Sequence, residues 1–496
     1  MHNSPICPGC GSENEPGADK CINCGNQLIA MPAWATSGPQ RNSLRRKRIV
    51  LWSSLVIILA VFTWFNYPFL PNPIILIFST PTSDLSSSWS PGKWPMNGGN
   101  LSGSAYVPWT GEYPEGVELD SIYVGPSTRS APVISNGTVY MGGESTVFAI
   151  NADTSETSWE SQPTGPVHGT LAVANDPLFV PLVVNEDGSS TLEVFALDAA
   201  SGKEIWRRAT SGPLRAAPTV FGGRVFVVTL ANELYALDAG TGNQIWTMDA
   251  GDAITSAVAI TDNKIAVGVS TGGLFIIDAR TGDNRLKVRI GGLITHPPVV
   301  GGKSVYVVSN GNVLSFDVDS RALPWAYPLR LIWTQLWLWQ VPVPTPPGPA
   351  GFRWRATPME DGPESSIRMA KNPEALYLGS HPVPSPIPGA EFVTTPAATS
   401  DAIYIGSTNN SVYSLSAKDG KMLWKFDASS IPVVQPTVVG ERLYFGTSDG
   451  TLYSVDRING QEEWSLGLGS PLSAPVTFAS GVLYARTEDG RLHQIT

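Results

Sequence analysis

The chain has 496 residues, a formal net charge of −10, only 15% charged residues, and 49 Gly, 42 Pro and 16 Trp. So few charges, against about 25% in ordinary soluble domains, exclude a coiled coil and long charged tails, and the acidic balance excludes a whole-chain electrostatic footprint for nucleic acid. The Gly, Pro and Trp content points to many short strands joined by tight turns, although the usual length of about 150 residues per domain would suggest three domains.

In chain order, the first feature is Cys7-Pro-Gly-Cys10 and Cys21-Ile-Asn-Cys24, which hold all four cysteines. Two such pairs, with Gly11 and Gly25 free to take the tight turn after each, supply the four thiolates a tetrahedral zinc prefers. Residues 1–28 are therefore expected to form a structural zinc ribbon with Cys7, Cys10, Cys21 and Cys24 as ligands. A disulfide-stapled minidomain is the alternative. The arrangement resembles the short zinc ribbons at the N-termini of many prokaryotic membrane proteins. So short a segment cannot bury a core, so the metal would supply its folding free energy and leave no open position for catalysis.

Residues 29–48 read as a linker ending in Arg45-Arg46-Lys47-Arg48, and an uncharged run follows from Ile49 to Phe65. As a helix it would be about 26 Å long, and Asn66 and Tyr67 extend it to a membrane-spanning 49–67. A cleaved signal peptide fits less well, because the run begins 48 residues in and no small-residue cleavage site follows. The clustered cations place the N-terminus in the cytoplasm and everything after Tyr67 outside the cell membrane. Residues 68–117 then read as an extracytoplasmic linker.

The remainder repeats one pattern: an Asp-like residue, Gly four later and Trp four after that. It runs Asn151/Ser155/Trp159, Asp198/Gly202/Trp206, Asp238/Gly242/Trp246, Asp278/Gly282/Leu286, Asp317/Arg321/Trp325, Ser416/Gly420/Trp424 and Asp456/Gly460/Trp464. Apolar alternating strands such as Leu234–Leu237 and Val225–Val228 precede each turn, and a further strand opens near a Pro, as at Ala217-Pro218 or Gln435-Pro436. The Asp oxygen can accept backbone N–H bonds in an Asx turn, and Gly supplies φ > 0. Four short antiparallel strands per 40-residue repeat make one propeller blade. A β-helix or a sandwich fits the period less well.

Seven turns define seven blades, and an eighth begins at Ser473-Ala-Pro475 but runs out of chain before its outer strand. Glu118 to Val124 can supply that strand and close the ring without a free edge. The expected fold is all-β: an eight-bladed propeller of four-stranded antiparallel blades over 118–496, with an insertion at about 327–390, preceded by the zinc ribbon and the single membrane helix.

The Asp-Ala-x-Thr-Gly-x-x-x-Trp repeats, together with Trp94-Pro-Met-Asn-Gly-Gly-Asn100, resemble the pyrroloquinoline-quinone-like (PQQ-like) β-propeller superfamily. Within it, the chain resembles the non-enzymatic outer-membrane protein assembly factor B type more than the quinoprotein dehydrogenases. The resemblance implies an eight-bladed scaffold for protein partners. Dehydrogenases of this superfamily carry a vicinal Cys-Cys disulfide and a carboxylate set for calcium; this chain has no Cys after Cys24, and no matching acidic set stands out. No catalytic residue is assigned, PQQ is not expected as a cofactor, and the propeller is not expected to bind nucleic acid. The alternatives are a PQQ-dependent dehydrogenase-like enzyme with a degenerate site, and a transmembrane sensor coupling propeller binding to the ribbon.

Two further sets are singled out. Residues two before each strand-opening Pro (Ser130, His168, Ala216, Ser256, His296, Thr394, Val434, Ser473) are expected to line the central channel. With Arg129 and Arg215 beside them, His168 and His296 form a candidate axial site for an anion or peptide, against the plainer reading of a solvated polar lining. In the insertion, Leu329, Ile332, Trp333, Leu336 and Trp337 fall on one helix face, and Trp339 precedes a Pro-rich run. This segment is a candidate contact for a membrane or partner, against a helix packed on the propeller rim.

Overall fold

The computed structural model describes residues 6–28, 52–61, 93–125, 130–322 and 390–496, except 164, 168, 187–188, 211–216, 230, 255–256 and 291. It also describes 81, 90, 350–358, 367–370 and parts of 329–342. Two compact units emerge, Met1–Tyr67 and Pro68–Thr496. In the first, residues 52–61 form a helix with every residue exposed, while 49–51 and 62–67 of the expected membrane span lie outside the described residues. Among the described residues no helix is long and apolar enough to cross a membrane.

The second unit contains eight sheets, each of at least four strands. Blades 1–4 lie at 133–161, 172–210, 219–249 and 259–289; blades 6 and 7 lie at 397–427 and 437–467. Blade 8 takes three strands from 477–495 and its outer one from Glu118–Tyr123, paired antiparallel with Arg491–Ile495 (Ile122 opposite Leu492), as the repeat count requires. The middle strands, such as Lys264–Val269 and Gly273–Asp278, are buried throughout, whereas the outer Gln244–Asp249 alternates, burying Trp246 and Met248 and exposing Gln244, Thr247 and Asp249. The core therefore lies between blades: Phe226, Leu234 and Trp246 of blade 3 share one cluster with Ile260, Ile265 and Ile277 of blade 4.

Blade 5 departs from the expected layout. Its first three strands occupy 299–317, but the fourth is Phe352–Pro358, within the stretch expected to be one insertion, and Ile367–Ala370 adds a fifth. The blade tryptophan is Trp354, opposite Ser315, and not Trp325, which lies outside the described residues. The extra chain thus enters inside the turn after Asp317, whose N–H still donates to a turn-closing carbonyl, that of Gly351, at 2.7 Å. Asp198 makes the equivalent bond to Lys203, only five residues on, also at 2.7 Å.

The repeat tryptophans join neighbouring blades. Trp159, Trp206, Trp246 and Trp424 donate Nε1–H to the carbonyls of Ala199, Ala239, Ala279 and Arg457, each the residue after the next blade's turn Asp, at 2.9–3.2 Å. Trp354 does the same to Ala417. The indoles of Trp159, Trp206, Trp246 and Trp424 also lie on the turn Gly of that blade: a Cβ on Gly242 would stand 2.6 Å from the Trp206 ring. The glycine is needed for this close approach as well as for its φ of +72°.

Candidate functional site

The axis of the ring is closed by the chain itself. Residues 94–109, expected to be linker, wind inside the inner strands and meet the blades in order. Trp94 exchanges both backbone bonds with Ile134 of blade 1, and the carbonyl of Pro95 accepts from Val173 of blade 2. Met96 and Leu101 pack against Val220 of blade 3. The carbonyls of Leu101, Ser102 and Ser104 then accept from Ile260, Val300 and Ala398 of blades 4, 5 and 6 at 2.6–2.9 Å. Tyr106–Val107 pairs in parallel with Val438–Val439 of blade 7, and Trp109 meets Phe478 of blade 8 edge-on at 5.1 Å. The inner strands would otherwise present unpaired N–H groups to the channel; this belt satisfies them in the way an added strand satisfies a sheet edge.

Small and polar residues make so tight a curve possible. Gly98, Gly99 and Gly103 have φ between +61° and +72°, and Trp94 is packed so closely on Gly99 that a Cβ there would lie 2.8 Å from the ring. Asn100 braces the bend: its Oδ1 accepts from Ser102 Oγ and the Ser104 N–H, and its Nδ2 donates to Ser104 Oγ and to the Tyr106 carbonyl. Beneath the belt, a cavity of about 20 Å³ lined by Met96, Gly103, Pro218, Pro298 and Gln435 is large enough for a single water.

The expected channel-lining set is largely turned to other uses. Ser130 and Thr394 are buried and accept the N–H groups of Gly142 and Gly406. Val434 is buried too, and Ser473 Oγ donates to the Arg486 carbonyl. His296 is half-buried, its Nε2 2.9 Å from the Val393 carbonyl, and burial lowers its pKa. His168, Ala216, Ser256, Arg129 and Arg215 lie outside the described residues, and of the candidate axial set only His296 is described. In the other candidate set, Trp333 and Trp339 are exposed and Trp337 is partly exposed.

The N-terminal cysteines do converge. The four Sγ atoms lie within 4.8 Å of one another, with Cys7–Cys24 at 3.6 Å and Cys10–Cys21 at 3.5 Å. Each pair sits on the same knuckle: the N–H groups of Gly11 and Gly25 donate to the carbonyls of Cys7 and Cys21, and both glycines have φ near +74°. Asn14 ties the knuckles together, accepting from the Ile22 N–H and donating to the Ser12 carbonyl. A Zn–S length of about 2.3 Å implies sulfurs about 3.8 Å apart on a tetrahedron, so the spacing suits that ion. The N–H groups of Asn23 and Cys24 draw the Cys21 pKa down to about 6. At Cys24 the Asn26 N–H lowers the pKa, but the Cys10 and Cys7 thiols outweigh it and push it up to about 12. Four adjacent thiolates need a cation among them.

What the sequence reading missed was the belt, and above all Asn100. Its signal was the Trp94–Asn100 segment itself, which carries no strand alternation and stands outside the 40-residue period.

The sequence matches a family model, PQQ_2, described as outer membrane protein assembly factor BamB, over residues 183–338 and 352–496. No curated protein matches it. Among solved structures, the chain is similar to BamB from Moraxella catarrhalis at 17% identity and a TM-score of 0.52, covering 77% of this chain and 97% of that one. It is also similar to the quinohemoprotein alcohol dehydrogenase of Comamonas testosteroni, at 14% identity and a TM-score of 0.58, covering 87% and 83%.

Proposed function

The chain belongs to the PQQ_2 repeat family, that of outer membrane protein assembly factor BamB, and from that premise we propose that it is a non-enzymatic scaffold. Its propeller binds protein partners in envelope or membrane-protein assembly. Residues 49–67 anchor it as a single-pass protein of the cell membrane, with Arg45 to Arg48 and the ribbon in the cytoplasm and the propeller outside. The observation that carries the scaffold reading is the filled hub. The belt takes up the inner-strand N–H groups and leaves about 20 Å³ beneath it. The open depression of about 450 Å³ beside it, large enough for a drug-sized cofactor, is lined by Asn100, Tyr106, Pro108, Val300 and Thr399 among others and has no charged side chain to hold an anionic quinone or a calcium ion.

The fold alone does not choose between scaffold and dehydrogenase, since solved structures of both kinds share it. A titration does. Adding PQQ and calcium to the purified chain is expected to leave the quinone absorbance spectrum unchanged. A saturable spectral shift with alcohol-dependent dye reduction would overturn the scaffold reading. Crosslinking in the native membrane then identifies the partners.

In the ribbon, Cys7, Cys10, Cys21 and Cys24 would hold one zinc, which supplies folding free energy and no reaction. Elemental analysis is expected to find one zinc per chain, lost in Cys10→Ser and released on acidification as the thiolates take up protons.

A further inference from the structure

The chain inserted in the blade 5 turn is held at its root and open at its tip. At the root, Ala322, Ala350 and Phe352 pack into the cluster of Leu286, Val318 and Phe316 between blades 4 and 5. The Ala322 N–H donates to the Arg285 carbonyl at 3.1 Å, and Arg353 bonds Asp317 and Ser304 at 2.8 and 3.0 Å. Beyond this root residues 329, 332–333 and 335–337 are helical, and the Trp339 and Val341 N–H groups close on the carbonyls of Gln335 and Leu336. Leu329 is 53% exposed, Ile332 59%, Trp333 37% and Trp339 68%. Apolar side chains so concentrated and so exposed mark a surface that something covers.

We propose that this element docks on the surface of a phospholipid bilayer, seating Trp333 and Trp339 at the headgroup level. Three observations select lipid over protein. Between Leu329 and Phe352 the only charged residue is Arg330, so nothing repels phosphate and one cation meets it. Three tryptophans, at 333, 337 and 339, fall within seven residues, and the amphipathic indole favours the boundary between hydrocarbon and water. The element is also added to a blade that keeps its four strands and its tryptophan without it, so the ring does not require its apolar surface. The proposal rests on reading 49–67 as a membrane anchor; such a tether raises the effective concentration of lipid enough for a weak contact to be occupied.

The test uses the full chain in phosphatidylcholine–phosphatidylglycerol vesicles, with and without dibrominated acyl chains, and the triple variant Trp333→Phe, Trp337→Phe, Trp339→Phe. Bromine quenches tryptophans seated in the bilayer. The variant is expected to keep its circular dichroism spectrum and the quenching of Trp52 and Trp64, while total quenched emission falls to roughly two-fifths of the parent's. Equal quenching in parent and variant, with the chain still floating with the vesicles, overturns the docking and leaves the anchor reading intact. Failure to float overturns both. A loss of dimer in the variant by light scattering, without a change in quenching, assigns the surface to a second copy and also overturns the proposal.

Discussion

Neighbouring blades are joined in two ways. Among the described residues, six of the eight joints use an indole whose Nε1–H bonds the next turn or its stand-in, and the last of these shows what the device requires. Trp464 of blade 7 has no seventh-to-eighth turn to meet, so Gly116 and the Pro114 carbonyl from the N-terminal side stand in, the latter accepting its Nε1–H at 2.8 Å. Joints 4–5 and 8–1, half a ring apart, lack both halves of the device. At 4–5 Leu286 replaces Trp and the turn is opened by the insertion. At 8–1 Asp120 occupies the tryptophan register and Ser155 the glycine position. Polar bonds serve there instead: Gln494 Nε2 donates to Ser155 Oγ, and Arg486 Nη1 donates to the carbonyls of Ser130 and Gly142 at 3.1 and 2.9 Å. Arg486 is fully buried, and burial lowers its pKa to about 10. Tryptophan and glycine are thus lost together, because neither serves a purpose without the other.

The sharpest way to break this comparison is at blade 5. Trp354→Ala is expected to cost about 3–5 kcal/mol in urea unfolding, as is Trp246→Ala, whereas Trp325→Ala is expected to cost under about 1 kcal/mol. Equal losses at 325 and 354 would return the joint to the position the repeat spacing suggests. At the closure, Arg486→Met strands two buried carbonyls and is expected to cost about 2–4 kcal/mol; a neutral result would mean that the strand pairing of 118–123 closes the ring unaided. The smallest effect belongs to Gln494→Ala, at about 1 kcal/mol or less by the same unfolding measurement.

The parts of this molecule legible in its sequence are those where one physical device recurs. Asx turns at Asp198, Asp238 and Asp456 do accept the N–H groups two or three residues on, and that recurrence was enough to count blades and to place the closing strand. Trp354 was hidden because the turn insertion moved it out of phase, leaving Trp325 at the expected offset by coincidence. The belt was hidden for a different reason. It contributes carbonyls along a curve and has no pleated face to bury, so it shows neither period 2 nor 3.6. The cysteine spacing was legible because a metal's geometry leaves little latitude in chain length between ligands. The proposed axial set was read from register alone, and register does not say whether a hydroxyl faces a channel or, as at Ser130 and Thr394, caps a neighbouring amide.

Residues 94–107 form the innermost layer of the propeller. Hydrogen exchange at the amides of Ile260, Val300, Ala398 and Val438 tests it most directly, because each donates to a belt carbonyl. The account predicts protection as slow as that of the middle strands, lost in Asn100→Ala as the bend loosens. Rapid exchange at these four amides in the intact chain would show an open hub and contradict it.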